Sequence, residues 1–259
     1  MKLKETIHDQ LPKQLAILGL VILLFIGAGS VIEVEWNDVI DNHSQAVVFL
    51  SGFLNPEWSY LPELIDPMIE TLLMSLAGTF LGVILAIPAA FLGTQLVTRN
   101  LFVTVIFRTF FSLIRTIPNL LLAAIFVAIV GIGELTGVLT IAVFTFGMVS
   151  QLIFGSIETI DYGPIEANES IGATRFQLAI TAIWPQVKDA VYGYALYAFE
   201  VNVRASAVLG YVGAGGIGVM LNSALSFFQF GRVSLIMLMI LLMIFITNAI
   251  SKYIRREVL

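Results

Sequence analysis

Long uncharged runs separated by short charged clusters set the pattern of this chain. They reach from Gln14 to Ile32, Thr71 to Thr98, Thr116 to Gly133, Leu135 to Ile157, Ala205 to Gly231 and Val233 to Ser251. A helix crossing a bilayer needs roughly 20 mostly apolar residues, and each run approaches or exceeds that length. The run after Arg204 is rich in Gly and Ser in its second half, which moves its helix upstream to near Ala190. The pattern predicts six spans, at about 15–32, 68–93, 113–131, 136–156, 190–210 and 233–251. The expected organisation is one transmembrane domain over 1–259: an anchor helix at 15–32, an outer segment at 33–67 and core helices within 68–251. Lys2, Lys4 and Lys13 precede the first span as they would in a cleaved signal sequence. Its apolar stretch is longer than a usual signal core, which favours a retained anchor.

Composition agrees with an all-α integral membrane protein. Of the 259 residues 58% are hydrophobic and 12% charged, with a mean hydropathy of +0.96. Soluble domains carry about 25% charged residues, so a soluble enzyme is excluded. A net charge of −5 gives no reason to expect nucleic-acid binding. The absence of Cys excludes disulfides and cysteine nucleophiles, and two His residues do not suggest a metal centre.

Lys and Arg orient the spans. With the N terminus inside, every basic residue except Arg204 and Arg232 falls in a cytoplasmic segment, and both termini are expected there. Segment 33–67 holds acidic residues such as Glu33, Asp41, Glu57 and Asp66 but no Lys or Arg, so it is expected outside. Trp36, Trp58 and Tyr60 suit the headgroup level, as an interfacial linker or a docking surface for an external partner. Arg108 and Arg115, seven apart, suit headgroup anchoring or an inter-subunit contact.

The cytoplasmic loop at 161–185 is neither spanning nor linker-like. Pro164 suits the first turn of a short helix, Glu166 its positive end, and Gly172 its stop. Thr174 and Gln177 have capping-box spacing and open a second helix. Phe176, Ile180 and Ile183 recur on one face of it, and Trp184-Pro185 is expected to close the unit. A charged side chain at Gly172 is expected to enter the corner between the two helices. An amphipathic elbow lying on lipid would carry Lys and Arg. The charges here are Asp161, Glu166, Glu169 and Arg175, mainly acidic, which points to a protein groove.

These residues resemble a known family. Glu166-Ala167, Gly172 with Ala173, and Pro185 match the "EAA" loop of ABC importer permeases, with Asn168, Ala182 and Trp184 departing from its usual residues. Gly163-Pro164, 169–174, Pro185-Gln186, Phe199-Glu200-x-Asn202-Val203-Arg204 and 212–218 extend the resemblance over most of the chain. Together they are similar to permeases of phosphonate ABC importers; methionine-type permeases share the Gly-rich piece. The resemblance implies a type I importer fold and two permease chains, a homodimer or a pair of paralogues. It also implies two ATPase subunits carrying ATP and Mg, and an extracytoplasmic binding protein; this chain itself would bind no cofactor. The 161–185 loop would couple the ATPase to the spans.

Glu200 and Arg204 lie four apart on one helical face, in the better order for an ion pair. Each costs about 2.5–3.5 kcal/mol at the bilayer centre on insertion scales, which pairing offsets. They form either a structural pair or, for Arg204, a place on the translocation path, where its planar fork suits an oxyanion. Asn202, on another face, would bond to a neighbouring helix. Gly213, Gly215, Gly216 and Gly218 suit an outer gate or re-entrant turn better than a phosphate cradle. No Gly is followed by Lys, so the P-loop pattern is absent and ATP hydrolysis is not expected here. Gly78-x-x-x-Gly82 reads as helix packing. The competing classes are a secondary carrier, which would place more polar groups at mid-membrane, and a membrane enzyme, which would need a nucleophile or metal cluster.

Overall fold

The computed structural model describes residues 11–31 and 43–258. The chain divides into two units, Met1–Ser51 and Gly52–Leu259. The first holds α1, Leu11–Val31, an apolar helix whose only charge is Lys13, and most of α2, His43–Phe53. The acidic stretch at 33–42, Trp36 included, lies outside the described residues.

The second unit is built on α3, Leu61–Leu92, and α7, Glu134–Ile157, which share the most extensive helix contact. Small residues make it possible. A Cβ on Gly78 would lie 2.6 Å from Ile141, and one on Gly82 2.6 Å from Thr145, so both positions admit only hydrogen. The packing role expected of this pair is what the structure shows. Around it stand α4 (Gln95–Thr98), α5 (Leu101–Thr116), α6 (Asn119–Val130), the elbow described below, α10 (Trp184–Leu209), α11 (Ile217–Ser226) and α12 (Phe230–Val258). No strand occurs among the described residues.

Among the described residues, four helical segments are long and apolar enough to cross a membrane singly: Leu11–Gly29, Trp58–Leu92, Glu134–Ile157 and Phe230–Glu257. Two bent pairs bring the number to as many as six where each pair counts as one span. The expected third span at 113–131 is a helix pair, α5 and α6, meeting at 93°. Pro118 causes the break: it pushes Ile117 to φ −79°, ψ 119°, outside the helical region. The second span also starts earlier than expected, at Leu61, with Pro62 in its first turn and Pro67 absorbed inside the helix. The Thr71 hydroxyl donates to the Pro67 carbonyl at 2.7 Å.

The fifth span differs most. Pro185 was expected to end the elbow, yet helix runs on from Arg175 through a π-helical turn, Ala179–Ile183, into α10. Pro185 lacks the N–H that a continuous α-helix needs, and the wider turn before it accommodates the ring. Gln186 completes the joint by donating its amide to the Ala182 carbonyl at 2.8 Å.

Candidate functional site

The elbow is assembled by short-range polar bonds. Helix α8, Gly163–Ser170, starts with Pro164 in its first turn and Glu166 beside its positive end. It stops in a Schellman arrangement: Ala173 N–H donates to Asn168 O and Gly172 N–H to Glu169 O, both at 3.0 Å. Gly172 has φ +76°, a left-handed conformation that other residues adopt at a cost. A Cβ there would meet open space, so the expected collision in a helix corner does not arise. Backbone strain is the reason for glycine. Thr174 and Gln177 form the capping box and open α9, Arg175–Leu178.

Longer bonds tie this frame to the spans. Glu169 accepts from Arg99 at 2.8 Å and from Arg175 at 3.1 Å, while Arg175 also donates to Leu96 O. Asn168, the unusual third residue of the motif, donates to Pro164 O and accepts from Thr181, both at 2.8 Å. It therefore joins α8 to the π-turn. Asp161 exchanges bonds with Gln186 across the elbow's base. Ile165, Leu178, Ala182 and Ile183 are buried beneath it. Ile171, Phe176 and Ile180 are exposed, Ile171 at 82% and Phe176 at 75%. Of the matched motif residues, Glu166, Ala167 and Pro185 are exposed and Ala173 is half-buried. Glu166 makes no ion pair with any described residue. Beside Phe176 and Ile180 an apolar groove of about 690 Å³ runs past Ile87, Phe91 and Trp184.

Arg108 is held within the chain. Its guanidinium bonds Glu158 at 3.0 Å and Gly93 O at 3.1 Å and lies 4.0 Å over the Phe154 ring. It clamps α5 to α7 within the chain.

In the span bundle a set of small polar side chains turns inward. Asn202 is fully buried, and its amide donates to Thr79 Oγ1 at 2.8 Å and Thr145 Oγ1 at 2.7 Å. One side chain thus ties α10 to both α3 and α7, as a bond between helices was expected to do. Ser75 and Ser206 meet one turn away at 3.3 Å. The expected Glu200–Arg204 ion pair is not formed. The Glu200 carboxylate accepts from Arg255 of α12 at 3.3 Å, while Arg204 Nε donates to the Glu200 backbone carbonyl at 3.4 Å. Spacing of four residues allowed the pair, but α12 brings a second guanidinium that takes the carboxylate. Arg204 itself is exposed.

The Gly-rich run is a packed joint between α10 and α11, whose axes differ by 47°. Gly210 and Gly218 face each other so closely that a Cβ on Gly210 would lie 2.1 Å from Gly218 backbone carbon. Gly213 accepts from Gly133 N–H at 2.9 Å, and Gly215 packs against Glu134. Gly216 caps α11 at φ +68°, where the Ile217 N–H bonds Thr71 Oγ1 at 2.8 Å. This is a turn, and no Lys adjoins it.

Sequence spacing had not singled out Glu169 as a hub, Arg99, Arg255 or the two threonines under Asn202. The bonds that carry them across the fold join residues 55 to 123 positions apart, and no local pattern announces such pairs. No cluster of three or more His, Cys, Asp or Glu suited to a metal occurs among the described residues.

Residues 78–259 match the family described as binding-protein-dependent transport system inner membrane component. The phosphite transport system permease protein PtxC of Stutzerimonas stutzeri is 36% identical over 83% of this chain and 79% of its own length. The phosphate-import permease protein PhnE of Mycolicibacterium smegmatis is 35% identical over 85% of this chain, which spans 42% of that longer protein. Among solved structures, an inward-facing MetNI methionine ABC transporter aligns with a TM-score of 0.68 at 22% identity, covering 78% of this chain and 99% of the other. That likeness shows the fold, the type I permease fold, with no strand among the described residues. The apolar spans and the family match along the chain make it a transport permease of the inner membrane. The chain belongs to the binding-protein-dependent transport system inner membrane components.

Proposed function

We propose that this chain is the permease subunit of an ATP-driven importer for small phosphorus oxyanions of the phosphonate and phosphite class. The observation that carries the reading is the match to phosphite and phosphate permeases over more than four-fifths of the chain, spans and elbow together. In this reading the elbow and both termini face the cytoplasm. The pinned frame of α8 and α9 presents Ile171, Phe176 and Ile180 to an ABC ATPase subunit, and Glu166 to a basic group at the groove's rim. Glu169, tied to Arg99 and Arg175, makes the elbow rigid enough to transmit movement into α10, with which it is continuous through the π-turn. ATP and Mg belong to that partner. A binding protein delivers substrate on the opposite side, where the Gly210–Gly218 joint would act as an outer gate, and a second permease chain completes the path.

Alternating access follows. ATP binding draws the two elbows together and opens the cavity outward; hydrolysis returns it inward. The test is purification of this chain in mild detergent with mass spectrometry of its companions, followed by uptake in liposomes. Recovery of an ATPase and a binding protein, with ATP-dependent uptake of phosphite or methylphosphonate, is expected. Uptake without ATP by this chain alone would replace the reading with an autonomous carrier.

A further inference from the structure

We infer that Arg204, with Tyr197 and Tyr211 on either side, is an oxyanion contact on the translocation path. The inference rests on the importer reading above and adds the residue that handles the anion. Asn202, two positions earlier on α10, is fixed to Thr79 and Thr145 well inside α3 and α7, so this part of α10 lies within the bundle's membrane depth. Arg204 points the other way and is exposed. A guanidinium facing hydrocarbon is costly, whereas one facing a water-filled path is not.

Charge arithmetic at this site favours an anion. The neighbouring carboxylate, Glu200, is engaged by Arg255, and among the described residues Arg204 makes no ion pair. With Arg255 on the Glu200 carboxylate, the nearest acidic side chain on α10 is already engaged, and Asp189 lies farther along in the groove that Arg255 lines. Arg204 keeps one bond to the Glu200 backbone carbonyl, through Nε, which orients the fork without neutralising it. A tetrahedral oxyanion can take two parallel bonds from such a fork.

The neighbours extend the site into a track. Tyr197 and Tyr211 lie seven residues to either side of Arg204, which returns to nearly the same helix face, and both are 47% exposed. Each offers a hydroxyl donor to a passing anion. Toward the elbow, Tyr197 and Arg255 line a groove of about 610 Å³ with Tyr194 and Asp189. Asp189 at its far end would repel an anion and favour its departure. The opposite face of α10, with Ala198, Asn202, Val203 and Ser206, is buried in the bundle.

The chain contains no Cys, so Arg204→Cys introduces its sole thiol. The variant would be assembled in liposomes with its ATPase and binding protein, with wild type treated in parallel. Uptake of phosphite, phosphate and methylphosphonate is expected to fall at least about tenfold. Aminoethyl methanethiosulfonate, which restores a positive charge, should recover uptake; the negatively charged sulfonatoethyl reagent should not. Uptake within about twofold of wild type, failure of both reagents to label the introduced thiol, or equal rescue by both would overturn the proposal. If Arg204→Cys does not assemble, Tyr197→Cys takes its place. Labelling from water that slows at saturating phosphite supports the track, and absence of labelling or of protection overturns it. Wild type that carries none of the three anions would instead remove the oxyanion-importer reading, while labelling of the Arg204→Cys thiol still decides whether this face is wet.

Discussion

The elbow and the crossing of α3, α7 and α10 are built from the same chain with opposite rules. In the elbow, polar side chains make the frame over a small apolar base of Ile165, Leu178 and Ile183, and other large apolar ones stand outside: Glu169, Asn168 and Thr174 are bonded, whereas Ile171 and Phe176 are exposed. At the crossing the polar groups are inside, with Asn202 held by Thr79 and Thr145 and glycine faces closing the gaps. The difference teaches what each surface meets. Water rewards an exposed polar frame and leaves an apolar knob available to a protein; lipid penalises polar groups turned toward it and favours turning them inward.

The crossing and the joint above it should therefore be the places least tolerant of added bulk. Gly210→Ala puts a Cβ 2.1 Å from the Gly218 backbone, which cannot rotate away as a side chain could. Overpacking of this kind costs about 1–3 kcal/mol or more, and the purified permease should melt several degrees lower or fail to accumulate. Gly155→Ala is the control within α7, since nothing lies within 4 Å of its added Cβ. It should be neutral or stabilising by up to about 1 kcal/mol. Equal behaviour of the two would show that the joint is looser than its geometry.

Asn202→Ala should follow. It removes two bonds that join three helices, and bonds between membrane helices average about 0.6 kcal/mol with a maximum near 1.7, so a loss of about 1–2 kcal/mol is expected. A double-mutant cycle with Thr145→Val measures the coupling. Additive losses would mean that the amide is not what holds α7 to α10.

How far each region could be read from the sequence follows from the same contrast. The elbow was legible because its devices are local: Pro164, Gly172 and the Thr174–Gln177 pair act within a few residues of themselves. Spans were legible as lengths of uncharged chain, but their breaks were not. Pro118 bends a span by 93° whereas Pro67 is absorbed without a break, and the difference lies in what surrounds each proline. Asn202 announced itself as a buried amide without naming its partners. A threonine such as Thr79, which already donates to the Ser75 carbonyl four residues back at 2.6 Å, gives no sign that it also accepts from a distant helix. Glu200 misled for a related reason: local spacing offered Arg204, and tertiary structure supplied Arg255.

Glu169→Gln probes the elbow's frame and should cost less. Both ion pairs are solvent-accessible, with Glu169 41% exposed, so each contributes about 0.2–1 kcal/mol to stability. The melting point should drop slightly, and less at high salt, where the wild-type pairs are already screened. Coupling should suffer more than stability: ATP consumed per anion imported is expected to rise, because the elbow would no longer be held at both Arg99 and Arg175. A melting loss as large as that of Asn202→Ala, insensitive to salt, would place Glu169 with the buried groups instead.

Phe176→Ser should have the smallest effect on the chain alone. The ring is 75% exposed, so truncation removes little buried area, and the permease should melt as wild type does. Ile165→Ser, at a position only 4% exposed beneath the same elbow, should cost about 2–5 kcal/mol in contrast. On the proposed reading the order reverses when an ATPase subunit is added. Loss of an aromatic anchor from that interface should weaken binding by at least about tenfold, measured as ATPase retained on immobilised permease. If Phe176→Ser melted early and retained its ATPase, the ring would be part of the elbow's core, and the outward-facing apolar knob that sets the elbow apart from the spans would lose its partner.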